Sequence, residues 1–382
     1  MKFRFWSHKS AIVLDHFRSN YAKKALVSTV HRPFVKQANF KHNNQIEALE
    51  MAQVVHELGY RVDVVNFSNA MAIDYSRYDL LFGSGPAFEG AFLQEAGLRP
   101  KTILYQGGAF VPVGNRASLR RLQDVFQRRG VWLPGSGRIA AGGIVGCEEV
   151  VDGLIVLGNA VTGDTYRAVT DRPVHQLPLL FIQVADAGDI LQARDLARVK
   201  NHFMWFAGAG LVHKGLDLVL EAFARHPELH LHVYGAIDHE PGFSRAFHHE
   251  LRELPNVHVE RWLALESPEF REALLANAFV ICPSAAEGCC SSVLNVCGNG
   301  AIVPILTREC GIDLEDYGVL VGATTVAAVE AALLQAAAFS EQELDRRMRR
   351  TADYMGAEHS RERYHQRMKA AVQAILEPIS LG

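Results

Sequence analysis

At 382 residues the chain is long for a single core and suits two domains of ordinary size. Its 49% hydrophobic and 21% charged content excludes a disordered protein, and no apolar run approaches the roughly 18 residues of a spanning helix. The formal charge of −3 is uneven: Lys2, Arg4, Lys9, Arg18, Lys23, Lys24, Arg32, Lys36 and Lys41 face one acid, Asp15, within residues 1–45, leaving that front at +8 and the remainder at −11.

A basic front on an acidic body points to an anionic partner: membrane surface, nucleotide or polyanionic acceptor. Solvated charge with no partner is the plainer alternative. The opening MKFRFWSHKSAIVLDHF is charged too early for a secretory signal and lacks a small-residue cleavage site. Six cysteines, five of them between Cys282 and Cys310, show no CxxC and no framework spacing. Buried thiols of a reducing compartment are expected ahead of metal ligands, and with them a cytoplasmic protein.

In chain order, KKALVSTV (Lys23–Val30) is the first clear strand, and HRPFVKQANFKHNN follows as a loop. QIEALEMAQVVHELGY reads as a helix with Ile46, Leu49, Ala52, Val54, Val55 and Leu58 inward, stopped by Gly59. Further strands are expected at Arg61–Phe67, Tyr78–Gly83, Lys101–Gly108, Asp152–Asn159 and His175–Phe181. Asn115–Gly130 is a helix with Leu119, Leu122, Val125 and Phe126 on one side and Arg116, Arg120, Arg121, Arg128 and Arg129 around it. It reads either as an ordinary sheet-packing helix with a solvated basic face or as an element that lies on anionic lipid.

Residues 183–200 lose the pattern and read as a linker. The alternation then restarts with His202–Gly208, the helix in KGLDLVLEAFARH, Leu229–Gly235, NVHVERW, a helix opened by Ser267-Pro268, and Phe279–Cys282. His230 and His232 read as exposed polar residues of a strand. Strands alternating with helices mean parallel sheets covered on both faces. The expectation is a first domain over 1–182, a second over 201–340 and returning helices over 341–382. In that tail Ser340 with Glu343 forms a capping box, Gly356 is expected to break the helix, and Ser360–Leu376 resumes it.

Two stretches carry chemistry. In Pro283–Asp313, PSAAEGCCSSVLNVCGNGAIVPILTRECGID, a loop of small residues opens a helix expected to stop at Gly298-Asn299-Gly300. Such a loop aims free N–H groups and a positive helix end at one point, which suits phosphate, while Glu287 suits hydroxyls. The following strand, Ala301–Leu306, contains Pro304 and is expected to be short or near an edge. In FAGAGLVHKGLDL, Gly208, Ala209 and Gly210 follow a strand and Lys214-Gly215 open a helix, a second approach to an anion with a fixed cation. It is neither a Walker loop nor the dinucleotide fingerprint. Two strand-end loops of one parallel sheet are expected to meet in a single crevice.

Together HKGLDLVLEAF, PSxxEGxxxSVLN and GxIVPIxTxExGID resemble the donor half of the retaining glycosyltransferases of family four. The likeness covers most of residues 202–322 and extends weakly to the first half. It implies an α/β GT-B fold, two Rossmann-like domains across a cleft with the final helices returning to the first. Residue by residue, it implies Lys214 on the diphosphate of a nucleotide-sugar, Glu287 on sugar hydroxyls, and the backbone of Cys290, Ser291 and Ser292 on phosphate, with Gly208, Gly210 and Gly288 lining the donor. Asn295, eight residues after Glu287, stands where the family has a second Glu on the ribose. The family's Arg before the Lys has no counterpart, since Ala209 and Gly210 occupy that neighbourhood. On the acceptor side the resemblance points to His42, Gly107 and Gly108, with Phe110 near where a catalytic His would stand. It implies retention of configuration, no cofactor and no metal beyond the nucleotide-sugar substrate, a glycan or lipid-linked acceptor, and no nucleic acid. Catalytic silence, with nucleotide-sugar or partner binding retained, is the alternative that the missing Arg and Glu raise; a GT-B sugar epimerase is a third.

Overall fold

The computed structural model describes residues 12–36, 42–69, 72–94, 99–140 and 146–377. Lys2, Arg4, Lys9 and Lys41 of the basic front lie outside them. Strands β1 (Lys23–Thr29), β2 (Tyr60–Asn66), β3 (Leu80–Gly83), β4 (Lys101–Gln106), β5 (Gly153–Leu157) and β6 (Val174–Leu177) form a parallel sheet in the order β2-β1-β3-β4-β5-β6. Strands β7 (His202–Ala207), β8 (His230–Gly235), β9 (Val257–Glu260), β10 (Phe279–Cys282), β11 (Val303–Leu306) and β12 (Val319–Leu320) form a second, in the order β12-β11-β10-β7-β8-β9. Central strands such as FVIC are buried along their whole length because helices cover both faces.

The helices are α1 (Arg32–Val35), α2 (Asn43–Glu57), α3 (Pro86–Glu89), α4 (Val111–Arg129), α5 (Ala160–Arg167), α6 (Ala187–Ala193), α7 (Leu196–Val199), α8 (Leu216–Phe223), α9 (Pro241–Ala246), α10 (His248–Arg252), α11 (Pro268–Ala276), α12 (Ser291–Gly300), α13 (Val326–Ala337), α14 (Glu341–Glu358) and α15 (Arg361–Leu376). Helix α14 packs on α12, α6 and β11 of the second domain, while α15 crosses to α2, β4, β5 and β6 of the first. In the second sheet the winding reverses between β7 and β10, the place where a doubly wound sheet opens a crevice at its strand ends.

The local expectations are met in part. The Pro304 strand is short, four residues, and lies one place in from the edge: β12 has two residues and joins only from Ile305 onward, so Pro304 has no partner on that side. Helix α12 runs through Gly298 and ends at Gly300, the last residue of the expected stop, and Ala301 follows in the left-handed region at φ 50°. Glycine is required at Gly298 because a Cβ there would lie 2.5 Å from the Phe181 ring. Gly356 lies inside α14; the break falls at His359 and Ser360, with Ser360 capping α15 by accepting from the Arg363 N–H. Residues 183–200 contain α6 and α7. His230 and His232 are not free surface residues, for they stack with His202 and His258 across β7, β8 and β9. Burial first, then the neighbouring imidazoles, pushes His232 down to about 3.

The path between domains is held peptide by peptide. The Leu179 carbonyl accepts from His359 Nδ1 at 2.6 Å, and Phe181 N–H donates to the His359 carbonyl at 3.0 Å. Asn43 Nδ2 donates to the Leu180 carbonyl. Asn299 Oδ1 accepts from Val184 and Ala185, and its Nδ2 donates to the Ile182 carbonyl. The outgoing chain at 179–185 and the returning chain at His359 are thus bonded to one another.

Candidate functional site

The loops that follow β7 and β10 emerge side by side at the reversal point. Gly215 adopts φ +73° and caps α8, and a Cβ there would lie 2.5 Å from the Pro283 carbonyl, so the two loops press together. That brings Lys214 and Glu287 into a direct ion pair, with side chains 10% and 9% exposed. Ser284 Oγ donates to Glu287 Oε1 at 2.9 Å. Burial alone would raise the Glu287 carboxyl, but Lys214, Arg138 and His213 outweigh it and hold it at about 2. Burial likewise opposes the charge on Lys214, and Glu287 reverses that, raising the ammonium above its ordinary range.

Around this pair lies a cleft of about 600 Å³. His42, Gly107, Gly208, Gly210, Lys214, Glu287, Cys290, Ser291 and Ser292 all line it. Helix α12 opens into it without a side-chain cap, so its first N–H groups and positive end face the space. One expectation fails in detail. The N–H groups of Gly210 and Leu211 are not free for an anion, because the buried Glu240 carboxylate already accepts from both.

The two domains meet beside the cleft through glycine. A Cβ on Gly288 would lie 2.2 Å from the Gly107 carbonyl, and one on Gly158 or Gly311 would lie 2.0 Å or 1.7 Å from the Gly288 carbonyl. Thr162 Oγ1 donates to the Glu287 carbonyl at 3.2 Å. Gly288 is therefore placed as an interdomain contact, and with Gly108 it lines an adjoining cleft of about 430 Å³. The Gly108 carbonyl accepts from Tyr166 at 3.1 Å, and Phe110 packs edge-on against the same tyrosine.

Sequence reasoning missed Arg138. This first-domain residue reaches across to Glu287 at 3.3 Å, with its Cγ over Gly210, where a Cβ would approach it to 2.6 Å. Its side chain is 53% exposed to the cleft. Ser118 fixes the segment by accepting from Arg138 N–H, and it hydrogen-bonds His213 Nδ1 at 2.6 Å. Burial keeps His213 neutral at ordinary pH, so Nε2–H donates to the Ala286 carbonyl and Nδ1 accepts from Ser118. No spacing signal links Arg138 to Glu287, which only the fold brings together. Trp262 was missed as well: it tilts against Phe206 and forms a wall shared by the main cleft and a side pocket of about 270 Å³.

Asn295 and helix α4 are both engaged within the protein. Asn295 borders that side pocket, but its Oδ1 accepts from Ile182 N–H at 2.7 Å and its Nδ2 donates to Asn43 at 3.2 Å. Each end of its amide thus gives one bond to the interdomain path, of the four that an amide can make. Helix α4 does not present a continuous basic face. Leu122 and Val125 pack into the core of the second domain, while Leu119 and Phe126 are exposed. Arg121 and Arg128 bind Asp217, and Arg129 binds Glu221 and Glu250 and covers the Phe247 ring. Arg116 and Arg120 alone of the five make no ion pair among the described residues.

No protein-family model and no curated protein matches the sequence. Among solved structures the chain is similar to sucrose-phosphate synthase from Thermosynechococcus elongatus, with TM-score 0.64, 12% identity and coverage of 92% of this chain and 99% of that one. It is similar to Anabaena HepE in complex with UDP and glucose, with TM-score 0.58, 10% identity and coverage of 92% and 99%. It is also similar to WaaG, a glycosyltransferase involved in lipopolysaccharide biosynthesis, with TM-score 0.56, 14% identity and coverage of 93% and 100%. Of TarM, a further similar structure, the chain spans 56%. At these identities the likeness is one of fold, and the fold is GT-B.

Proposed function

We propose that this GT-B chain is a glycosyltransferase that moves a sugar from a nucleotide-sugar donor to a glycan or lipid-linked acceptor. The observation that carries the reading is the pairing of Lys214 with Glu287 at the winding reversal, below the uncapped start of α12 and open to a first-domain wall. The donor would lay its diphosphate on Lys214 and the α12 N-terminus, its sugar hydroxyls on Glu287, and its base toward Trp262. Breaking the sugar–diphosphate bond puts negative charge on the leaving oxygen and positive charge on the anomeric carbon. Fixed donors already aimed at the leaving oxygen stabilise it by a few kcal/mol each.

Lys214 is tied to Glu287. A sugar hydroxyl that takes up Glu287 would free the ammonium for phosphate. Arg138 adds a second cation from the opposite domain, close to where Ala209 and Gly210 leave the family's Arg unmatched. Retention, a surface-polysaccharide role and a cytoplasmic site of action belong to this proposal, which is supported by the complex of HepE with UDP-glucose and by the involvement of WaaG in lipopolysaccharide biosynthesis.

A panel of nucleotide-sugars, scored by thermal shift and then by donor turnover, tests it. Stabilisation by one nucleotide-sugar with turnover lost in Lys214→Ala is the expected result. Failure of every nucleotide and nucleotide-sugar to stabilise the folded chain would end the reading. Binding without turnover would instead favour the catalytically silent alternative, which the engaged amides of Gly210 and Leu211 recommend.

A further inference from the structure

Cys282 closes β10, Cys290 stands directly before α12, and Cys310 ends the turn that follows β11. The pairing of β10 with β11 and the return of the intervening loop over both strand ends bring the three together. Cys290 N–H donates to the Cys310 carbonyl at 3.0 Å, and the Cys310 thiol donates to the Cys282 carbonyl at 2.9 Å. The three sulfur atoms lie within 4.8 Å of one another, all buried and none in a disulfide. Spacing had pointed to plain buried thiols; convergence of three sulfurs is a property of the fold.

We propose that this trio is a three-sulfur site for one thiophilic d10 metal ion, of the copper(I) or zinc(II) kind. Thiolates select such ions over hard cations. Metal–sulfur bonds of about 2.3 Å put the sulfurs of a planar three-coordinate site about 4.0 Å apart. The observed trio therefore needs to contract by less than about 1 Å, within reach of side-chain rotation. One side of the trio is apolar, packed in a buried cluster with Val293, Leu294 and Ile312, and on the other side the Lys214 ammonium favours the thiolate form of Cys282 and Cys290. Three sulfurs in a dry shell complete the coordination of copper(I), whereas zinc(II) calls for a fourth donor. The Cys282 carbonyl and the Thr307 hydroxyl, 2.9 Å and 3.5 Å from Cys310 Sγ, are the oxygens at hand for that place. Cys290 also lines the main cleft, which gives the ion a way in and the displaced protons a way out. On binding, each S–H loses its proton to solvent as its metal–sulfur bond forms, and no oxidation or reduction is involved.

The test uses the full chain with its thiols reduced. Copper(I), buffered by a colour-forming chelator, and zinc(II), buffered separately, are titrated in, and bound metal is counted by mass spectrometry. One equivalent of one ion is expected, and X-ray absorption should show three sulfurs at about 2.3 Å. Cys310→Ala should weaken retention at least about tenfold, while Cys297→Ala, a buried cysteine outside the trio, should retain the ion as the wild type does. Absence of uptake for both ions, fewer than three sulfurs on the bound metal, or a Cys310→Ala protein that binds like wild type would each overturn the site. If Cys310→Ala does not fold, the sulfur count on the wild-type protein decides alone.

Discussion

Arg121 of α4 holds one guanidinium nitrogen 2.9 Å and 2.7 Å from the two carboxylate oxygens of Asp217 on α8, with side chains 2% and 0% exposed. A helix that lies between two strands of the first sheet is thereby anchored to the second domain. Arg128 also bonds Asp217 and Asp124 also bonds Arg121, so removing one partner leaves the other a single, partly exposed counter-charge. Arg121→Met and Asp217→Asn should each cost about 1–3 kcal/mol in urea unfolding, as for a lost charged hydrogen bond in a buried site. Arg120→Glu, on the open side of the same helix, should change stability by no more than about 0.5 kcal/mol. Equal effects at positions 120 and 121 would show that the pair does not anchor the helix.

What membrane attraction α4 retains rests on Arg116 and Arg120 beside the exposed Leu119 and Phe126. Binding to anionic vesicles is expected at 0.1 M salt and should fade at 1 M, as the Debye length falls from about 10 Å to about 3 Å. Arg116→Glu with Arg120→Glu should abolish it without unfolding the protein. Indifference of the wild type to anionic vesicles at low salt would leave a soluble acceptor.

With the donor's diphosphate on Lys214 as proposed, Arg138 would face it from the opposite domain. Arg138→Ala should lower donor turnover on the order of 10–100-fold, and Lys214→Ala on the order of 100–1,000-fold, as for charged groups at a leaving oxygen. Steady-state rates with the donor identified by thermal shift give both numbers. A full rate in Arg138→Ala would reduce this arginine to an interdomain contact.

Asn295→Ala should appear in stability, not in nucleotide affinity. It leaves the Ile182 N–H without its partner, a loss of about 1–3 kcal/mol. Asn299→Ala should cost at least as much, because Asn299 serves Ile182, Val184 and Ala185 together. Titration of the donor nucleotide into Asn295→Ala checks the other half: affinity falling while stability holds would restore the ribose role.

Glu47, buried on α2, accepts from Tyr105 at 2.7 Å, and Tyr105 in turn meets Tyr364 of α15. Burial raises this carboxyl to about 7 against the pull of the tyrosine. The folded chain thus keeps a proton that the unfolded chain releases near 4.5. The contribution of Glu47 to stability should therefore be fully present below that value and be lost, by roughly 3 kcal/mol, as pH rises through 7. Glu47→Gln keeps an acceptor and removes the drop. Its melting temperature should exceed that of the wild type above about pH 8 and match it in acid. Parallel melting curves at all pH values would show that Glu47 does not titrate in this window.

The sequence by itself determined the sheets, the reversal-point loops and the meeting of Lys214 with Glu287. Each depends on short-range pattern: an apolar run, a small-residue loop and a helix start within one strand-loop-helix unit, and two such units share a parallel sheet. Only the tertiary structure decided what faces those loops. Arg138, the glycines that admit the Gly288 carbonyl, and the trio of Cys282, Cys290 and Cys310 depend on segments far apart in the chain, and none has a local pattern that sets it apart. Arg121 reads like Arg120 in the sequence, yet one is sealed against Asp217 and the other is exposed. Asn295 and Asn299 read as ligand-site and helix-stop residues until the path between the domains runs past their amides. A side chain's chemistry is local, but its partner is chosen by packing, and packing is set by the whole fold.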